Sequence, residues 1–341
     1  MMDHSVSRIL IETIVRKTLR DIRESPERSI RNLVDMALHA SKSRFQRHFF
    51  EAAQKMLQNE HSPYYALVQN IAANIDHEKL LTFGMNLGYN SCTLGAKKIR
   101  EIEDQEHFNI PWCVSLRLTR DSLAQQLNQY QAVIEEGKEL GIYTWLLFTD
   151  DQPQDAMNLV FDHPDCAFFF FCQPQHLARS FVEQASEANN IMLVIHCAGD
   201  VTDACGTLQE KGLLYSVYDA YDDSDTDIII SDNWLSKAEA LGGVFSALIP
   251  HEKCSQETRK TIQAYMENTR SEQLFQTIPV EIIDVCSYVD SIISDDCCAA
   301  EFDADGRLLG TDTSLQEAGN LFRHTLHDIF KAAFPKNRKD E

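Results

Sequence analysis

The chain has 341 residues, of which 44% are hydrophobic and 24% charged. That is the balance of a globular protein with room for one large domain and a smaller one. Its net charge of −21 excludes a general binder of nucleic acid or anionic membrane, because most of the surface would repel phosphate.

The first 76 residues read as an all-α region. Ile11, Ile14, Val15, Thr18 and Ile22 recur at helical spacing, and Ser25-Pro26-Glu27 is a helix start with Ser at the N-cap and Pro at N1. The helix it opens runs to about Ala40. A third helix covers Arg44–Gln58, and Ser62-Pro63 opens a fourth that ends near Ile75. Residues 1–75 carry eleven Lys/Arg against eight Asp/Glu, so they are mildly basic in an acidic chain. A cap, or a bundle through which the chain forms a homo-oligomer, is the economical reading.

Residues 77–290 change texture. Short β-prone runs recur with helical stretches such as Leu123–Leu140 and His176–Ala188 between them. The runs are Leu80–Met85, Trp112–Leu118, Ile142–Phe148, Ala167–Cys172, Ile191–Cys197, Leu213–Tyr218, Val244–Ile249 and Val280–Val285. None alternates cleanly with polar residues, as expected of parallel strands buried on both faces. Eight strand–helix units predict an α/β fold, a TIM-type (β/α)8 or partial barrel, with a doubly wound sheet as the runner-up.

Residues 291–341 read as a C-terminal extension. An acidic, Cys-rich segment (Asp290–Asp305) leads to a turn at Asp305-Gly306, a final helix over Leu315–Ala333 and a charged tail. Ten cysteines, no secretory signal in MMDHSVSRIL and no short disulfide framework predict reduced thiols in a cytoplasmic protein. The most apolar run, Cys166–Cys172, is too short to cross a bilayer.

The stretch Lys79–Glu101 reads as strand, glycine-rich loop and helix, the arrangement that opens a parallel α/β unit. Its centre is Met85-Asn86-Leu87-Gly88-Tyr89-Asn90-Ser91-Cys92. This resembles the radical S-adenosylmethionine (radical SAM) barrels, which carry Cys-x3-Cys-x2-Cys, often C-N-L-x-C-x-x-C, in the loop after the first strand. Asn86, Leu87, the spacing and Cys92 match. Met85 and Tyr89 stand where the first two cysteines belong. In the family the second strand usually ends in Gly-Gly-Glu, which binds the SAM amino group; Arg120-Asp121-Ser122 stand there in this chain. A weaker likeness is Cys297–Gly306 (CCAAEFDADG), similar to a Cys-x-x-Gly…Asp-Gly segment that follows some radical SAM barrels. The resemblance covers residues 79–150 well and the remainder only by architecture.

A 4Fe-4S cluster needs three thiolates, and thioether and phenol replace them poorly. The resemblance therefore implies a barrel without the usual cluster and SAM, acting by binding a small molecule, peptide or partner protein. The alternative is an active iron–sulfur or metal-dependent enzyme whose unorthodox ligand set includes Cys92, with Cys297 and Cys298 as further candidates. Arg117, Cys172, His196, Cys197, Tyr218 and His251 lie at strand ends where a barrel mouth would gather them, and Tyr218-Asp219 closes one strand. His196 and His251 with Cys172 or Cys197 would make zinc ligands. Tyr89, Trp145 and Tyr218 would line an apolar pocket if they converged. The Asp222–Asp227 acids lack the central glycine of an EF-hand. No P-loop, GxGxxG, HExxH or GxSxG element is present, which removes the commonest nucleotide, protease and esterase readings.

Overall fold

The computed structural model describes residues 2–22, 24–41, 44–149, 151, 153–294, 296, 298–310 and 319–336. Four helices open the chain, α1 (Met2–Asp21), α2 (Pro26–Ala40), α3 (Arg44–Met56) and α4 (Pro63–Asn74), as the capping signals predict. Ser62 accepts the Tyr64 N–H at 3.2 Å, so its side chain satisfies a donor that the first turn leaves orphaned. Next come α5 (His77–Met85), a π-helical segment (Asn86–Gly95) and α6 (Ala96–Glu106). Then strands and helices alternate: β1 (Cys113–Leu118), α7 (Arg120–Leu140), β2 (Thr144–Thr149), α8 (Met157–Asp162), β3 (Ala167–Cys172), α9 (Arg179–Glu187), β4 (Ile191–His196), α10 (Thr202–Glu210) and β5 (Tyr215–Tyr221). The series ends with α11 (Thr226–Ile230), α12 (Asn233–Ala240), β6 (Phe245–Pro250), α13 (Gln256–Glu272), β7 (Ile278–Glu281), α14 (Ile282–Ser294), β8 (Ala300–Phe302) and α15 (Leu326–Ala333).

Two compact units interleave along the chain, residues 1–82 with 192–285 and residues 83–191 with 286–341. In the first, β5 pairs in parallel with β4 and with β6, and β6 with β7. Ile22, Ile30, Val34, Tyr65 and Ala72 form the core of its helical bundle. Three side-chain contacts tie that bundle to the α13 end: Tyr64 Oη donates to the Arg270 carbonyl at 3.3 Å, Gln273 Nε2 to the Met56 carbonyl at 3.0 Å, and Asn59 Nδ2 to Gln273 Oε1 at 3.4 Å. In the second unit, β2 pairs in parallel with β1 and with β3, and β1 also with β8. Trp145, Phe168, Phe170 and Phe171 in these strands are fully buried, each contributing about 1.5–3 kcal/mol relative to exposure.

Four sequence expectations need correction. Leu80–Met85 is not a strand; it lies in α5, and the segment after it continues as helix rather than loop. The reason is periodic. Met85, Tyr89, Cys92, Ala96, Ile99 and Glu103 are all buried at spacings of three and four, one helical stripe. Val280–Val285 is strand only to Glu281 and then turns into α14, while Ala300–Phe302 supplies an eighth strand that the sequence did not announce. The terminal helix begins at Leu326 with Thr325 as its N-cap; residues 315–318, the start of the expected helix, lie outside the described residues. Finally, His176–Ala188 divides into a 3-10 turn (Pro174–His176) and α9. The expected turn at Asp305-Gly306 is present, with Gly306 at φ +78° and Phe302 bridged to Leu308.

The helical stripe packs against the end of α7 through two glycines. Gly141 takes φ +101°, and a Cβ on it would sit 2.6 Å from the Gly95 carbonyl oxygen, while a Cβ on Gly95 would run into the Gly141 carbonyl. A Cβ added to Gly84, in α5, would meet nothing within 4 Å. Gly95→Ala is therefore expected to destabilise the chain by about 1–3 kcal/mol through overpacking. Gly84→Ala should stabilise it by about 0.5–1 kcal/mol through helix propensity. Urea unfolding of both variants checks this, and equal effects would refute the close approach.

Candidate functional site at the strand exits

The two stretches that resembled cofactor motifs are built into the framework of the second unit. On the π-helical segment Asn90 Nδ2 lies 3.0 Å from Asn86 Oδ1. Asn86 Nδ2 donates to the carbonyls of Pro164 (2.9 Å) and Cys166 (2.8 Å), and Asn90 Nδ2 to that of Asp165 (2.8 Å). The two amides thus satisfy the backbone that leads into β3. Cys92 is buried, and desolvation pushes its thiol up to about 12. Met85 and Tyr89 are buried on the same helical stripe.

Arg120-Asp121-Ser122 do not end a second strand. They follow β1 as the first turn of α7. Thr119 and Ser122 form a reciprocal capping box, with Thr119 N–H to Ser122 Oγ and Ser122 N–H to Thr119 Oγ1 both at 3.1 Å, and the Arg120 N–H reaches Asp151 Oδ1 at 3.0 Å. Arg117 pairs with Glu301 across β1 and β8 at 2.6 Å. Cys172 ends β3, fully buried, its thiol also pushed up to about 12 by desolvation.

Cys113, Cys286 and Cys298 gather around Asp290. The Asp290 carboxylate accepts the Trp112 N–H at 3.0 Å and the Cys298 N–H at 2.9 Å, and the Trp112 indole donates to the Cys286 carbonyl at 3.0 Å. Burial raises the Asp290 carboxyl to about 7. Cys297 lies outside the described residues. Among the described residues no three His, Cys, Asp or Glu side chains are arranged to hold a metal ion.

At the exits of β4 and β5, His196 Nε2 lies 3.1 Å from Asp219 Oδ1, a carboxylate that also accepts the Ala220 N–H at 2.9 Å. The carboxylate orients the imidazole and favours its Nε2–H tautomer. The Tyr218 ring lies 5.0 Å from the imidazole, tilted by 31°, and the Cys197 N–H donates to the Tyr218 carbonyl at 2.8 Å. His251 stands one residue beyond β6, its N–H on the Tyr221 carbonyl at 2.8 Å.

Glu281, the last residue of β7, is buried and accepts from Tyr221 Oη at 3.4 Å and from the Asp284 N–H at 2.6 Å. Sequence reasoning missed Glu281 because it placed that residue inside a strand running on to Val285; the signal available was an acid, with Asp284 three residues on, in an otherwise apolar run. The acidic segment beginning at Asp222 is a helix start. Asp222 Oδ1 accepts the Ser224 N–H at 2.8 Å and Asp225 Oδ2 accepts the Asp222 N–H at 2.9 Å.

Desolvation raises the Glu281 carboxyl to about 7. The folded state therefore keeps a proton that the unfolded chain releases in the usual carboxylate range. The resulting stability is fully present below that range and is lost as pH rises towards 7. Glu281→Gln is expected to remove part of this fall. Urea midpoints for both proteins between pH 4.5 and 8 check it, and parallel curves would show that Glu281 ionises normally.

No family model and no curated protein matches the chain. Among solved structures it is similar to Streptococcus suis SuiB bound to the precursor peptide SuiA, with 10% identity and a TM-score of 0.50 over 69% of this chain and 67% of that one. SuiB bound to S-adenosylmethionine (11% identity, 69% and 66% covered) and SuiB alone (10%, 69% and 68%) also give TM-scores of 0.50. The chain thus spans about two thirds of SuiB's length. With its parallel strands and intervening helices, it has the α/β partial-barrel fold of the radical SAM enzymes.

Proposed function

We propose that this chain is a radical-SAM-like barrel without the cluster-and-SAM chemistry of that fold, and that it binds a peptide at its strand exits. The observation that carries the reading is the segment after β1. Thr119-Arg120-Asp121-Ser122 enters α7 directly and holds no cysteine, whereas a 4Fe-4S cluster requires three thiolates. Cys92, the single cysteine of the stretch that resembled the motif, is buried in a π-helical segment before the first strand. The donor set does not fit the cluster in the place where the fold would hold it.

A peptide is favoured over other ligands by two considerations. SuiB, which shares the fold, has been crystallised with a precursor peptide. The exits of β4 and β5 carry a donor and an acceptor in His196 and Asp219, a mixture suited to the alternating N–H and C=O groups of a backbone. No step of radical chemistry is assigned to these residues.

The test is anaerobic reconstitution with ferrous iron and sulfide, read by iron content and visible spectrum in the wild type and in Cys92→Ala. The expected outcome is a colourless, iron-free protein in both. About four irons per chain with a band near 400 nm would overturn the proposal, and loss of that band in Cys92→Ala would place the cluster at Cys92.

A further inference from the structure

We infer that Cys113 and Cys286 are a redox-active pair, and that their oxidation by a small disulfide joins β1 covalently to α14 within the second unit. Cys113 is the first residue of β1, and Cys286 lies in the second turn of α14. The pair sits at a strand entry, so the inference is independent of what the strand exits bind.

The argument starts from how α14 is held against the start of β1. Arg100 donates from Nε to the Ile293 carbonyl at 2.6 Å and from Nη2 to the Ile292 carbonyl at 3.0 Å. The Trp112 indole reaches the Cys286 carbonyl, and the Trp112 N–H reaches Asp290 Oδ1, both at 3.0 Å. Cys286 and Asp290 are four residues apart and share one face of α14, the face that meets β1. Cys113, the residue after Trp112, is hydrogen-bonded through its thiol to that of Cys286. A disulfide requires backbones close enough for the sulfurs to meet, and these two already do. Cys298 is the other described thiol nearby. Its N–H is on Asp290 Oδ2 at 2.9 Å and its thiol is hydrogen-bonded to the same carboxylate, which leaves Cys286 as the partner of Cys113.

Exposure assigns the two roles. Cys113 is buried, whereas Cys286 is only half-buried and open to an oxidant. The hydrogen bond to Cys286 and burial push the Cys113 thiol well above its ordinary range, so Cys113 keeps its proton while Cys286 reacts first. The Cys286 thiolate attacks one sulfur of glutathione disulfide; that S–S bond breaks, one glutathione thiolate leaves, and a mixed disulfide forms on Cys286. Cys113 then gives up its proton and attacks Cys286 Sγ, and the second glutathione leaves. The two protein thiols lose two electrons and two protons, and one glutathione disulfide becomes two glutathione thiols. A buried thiol reacts slowly with reagents in solution, but the second step is intramolecular between groups already in contact. The second unit is assembled from residues 83–191 and 286–341. The new bond ties those two segments together and restricts the unfolded chain, which stabilises the fold.

The test incubates the reduced full chain with excess glutathione disulfide, alkylates the remaining thiols and maps the peptides by mass spectrometry. The expected product has two fewer of the ten thiols, a peptide carrying Cys113 linked to one carrying Cys286, and a melting temperature raised by about 5 °C. Dithiothreitol should reverse all three. Cys113→Ala should stop at a stable glutathione adduct on Cys286, and Cys286→Ala should leave Cys113 unmodified. The wild-type map alone decides the matter if either variant fails to fold. The inference is overturned if no linked peptide forms, if Cys286 pairs with Cys297 or Cys298 instead, or if the wild type keeps glutathione on Cys286. An oxidised protein that melts no higher than the reduced one would also overturn it.

Discussion

A buried parallel strand has to enter its sheet with every backbone donor and acceptor satisfied, and this chain meets that demand with single buried polar side chains. Asp290 takes two N–H groups, one just before β1 and one just before β8. Glu103 takes the Ile110 N–H at 2.7 Å and the Lys336 ammonium at 3.0 Å. Asn190 gives its amide to the carbonyls of Val160 and His163, both at 3.0 Å. Asn86 and Asn90 do the same for residues 164–166. Loss of any one leaves an unpaired buried backbone group, a larger cost than the net value of the bond itself. Asn86 and Asn90 lie one turn apart on the π-helical segment, and both reach the entry to β3.

The strands that were legible in the sequence are those whose apolar runs are bounded by turn-forming or charged residues. The runs Trp112–Leu118, Ile142–Phe148, Ala167–Cys172 and Ile191–Cys197, which hold β1 to β4 apart from the last residue of β2, are of that kind. Leu80–Phe83 was not, because a run of four residues has no period of its own. Its helical stripe appears only when Met85, Tyr89, Cys92, Ala96, Ile99 and Glu103 are taken together. β8 is three residues, Ala-Glu-Phe, and only its place after α14 and before the Gly306 turn marks it. His196 and Tyr218 could be found as strand-end residues. Their companionship with Asp219 could not, since it depends on the register of β4 against β5, which pairs His196 with Tyr218.

The spacing x3, x2 explains why the stretch from Met85 to Cys92 looked like a cluster motif. Positions i, i+4 and i+7 are also three successive places on one helical face. The same numbers serve three thiolates around a cluster in a loop and three core contacts on a helix. Spacing alone does not distinguish them; the local structure does. The fold was legible from a segment whose own structure turned out to be helical, which shows how little a fold says about chemistry at a site.

In the first unit the polar groups at the strand ends are paired with one another: His196 with Asp219, and Glu281 with Tyr221. A ligand that reaches such an edge has to exchange these bonds for its own, and an apolar ligand has nothing to offer in return. The carboxylates cannot be stranded without a partner, and burial already holds Glu281 near neutrality. A ligand with alternating donors and acceptors can replace each bond in turn, so the free energy of the edge stays nearly level during the exchange. This favours an extended backbone over a rigid apolar molecule, with specificity arising from the side chains that lie between its amides.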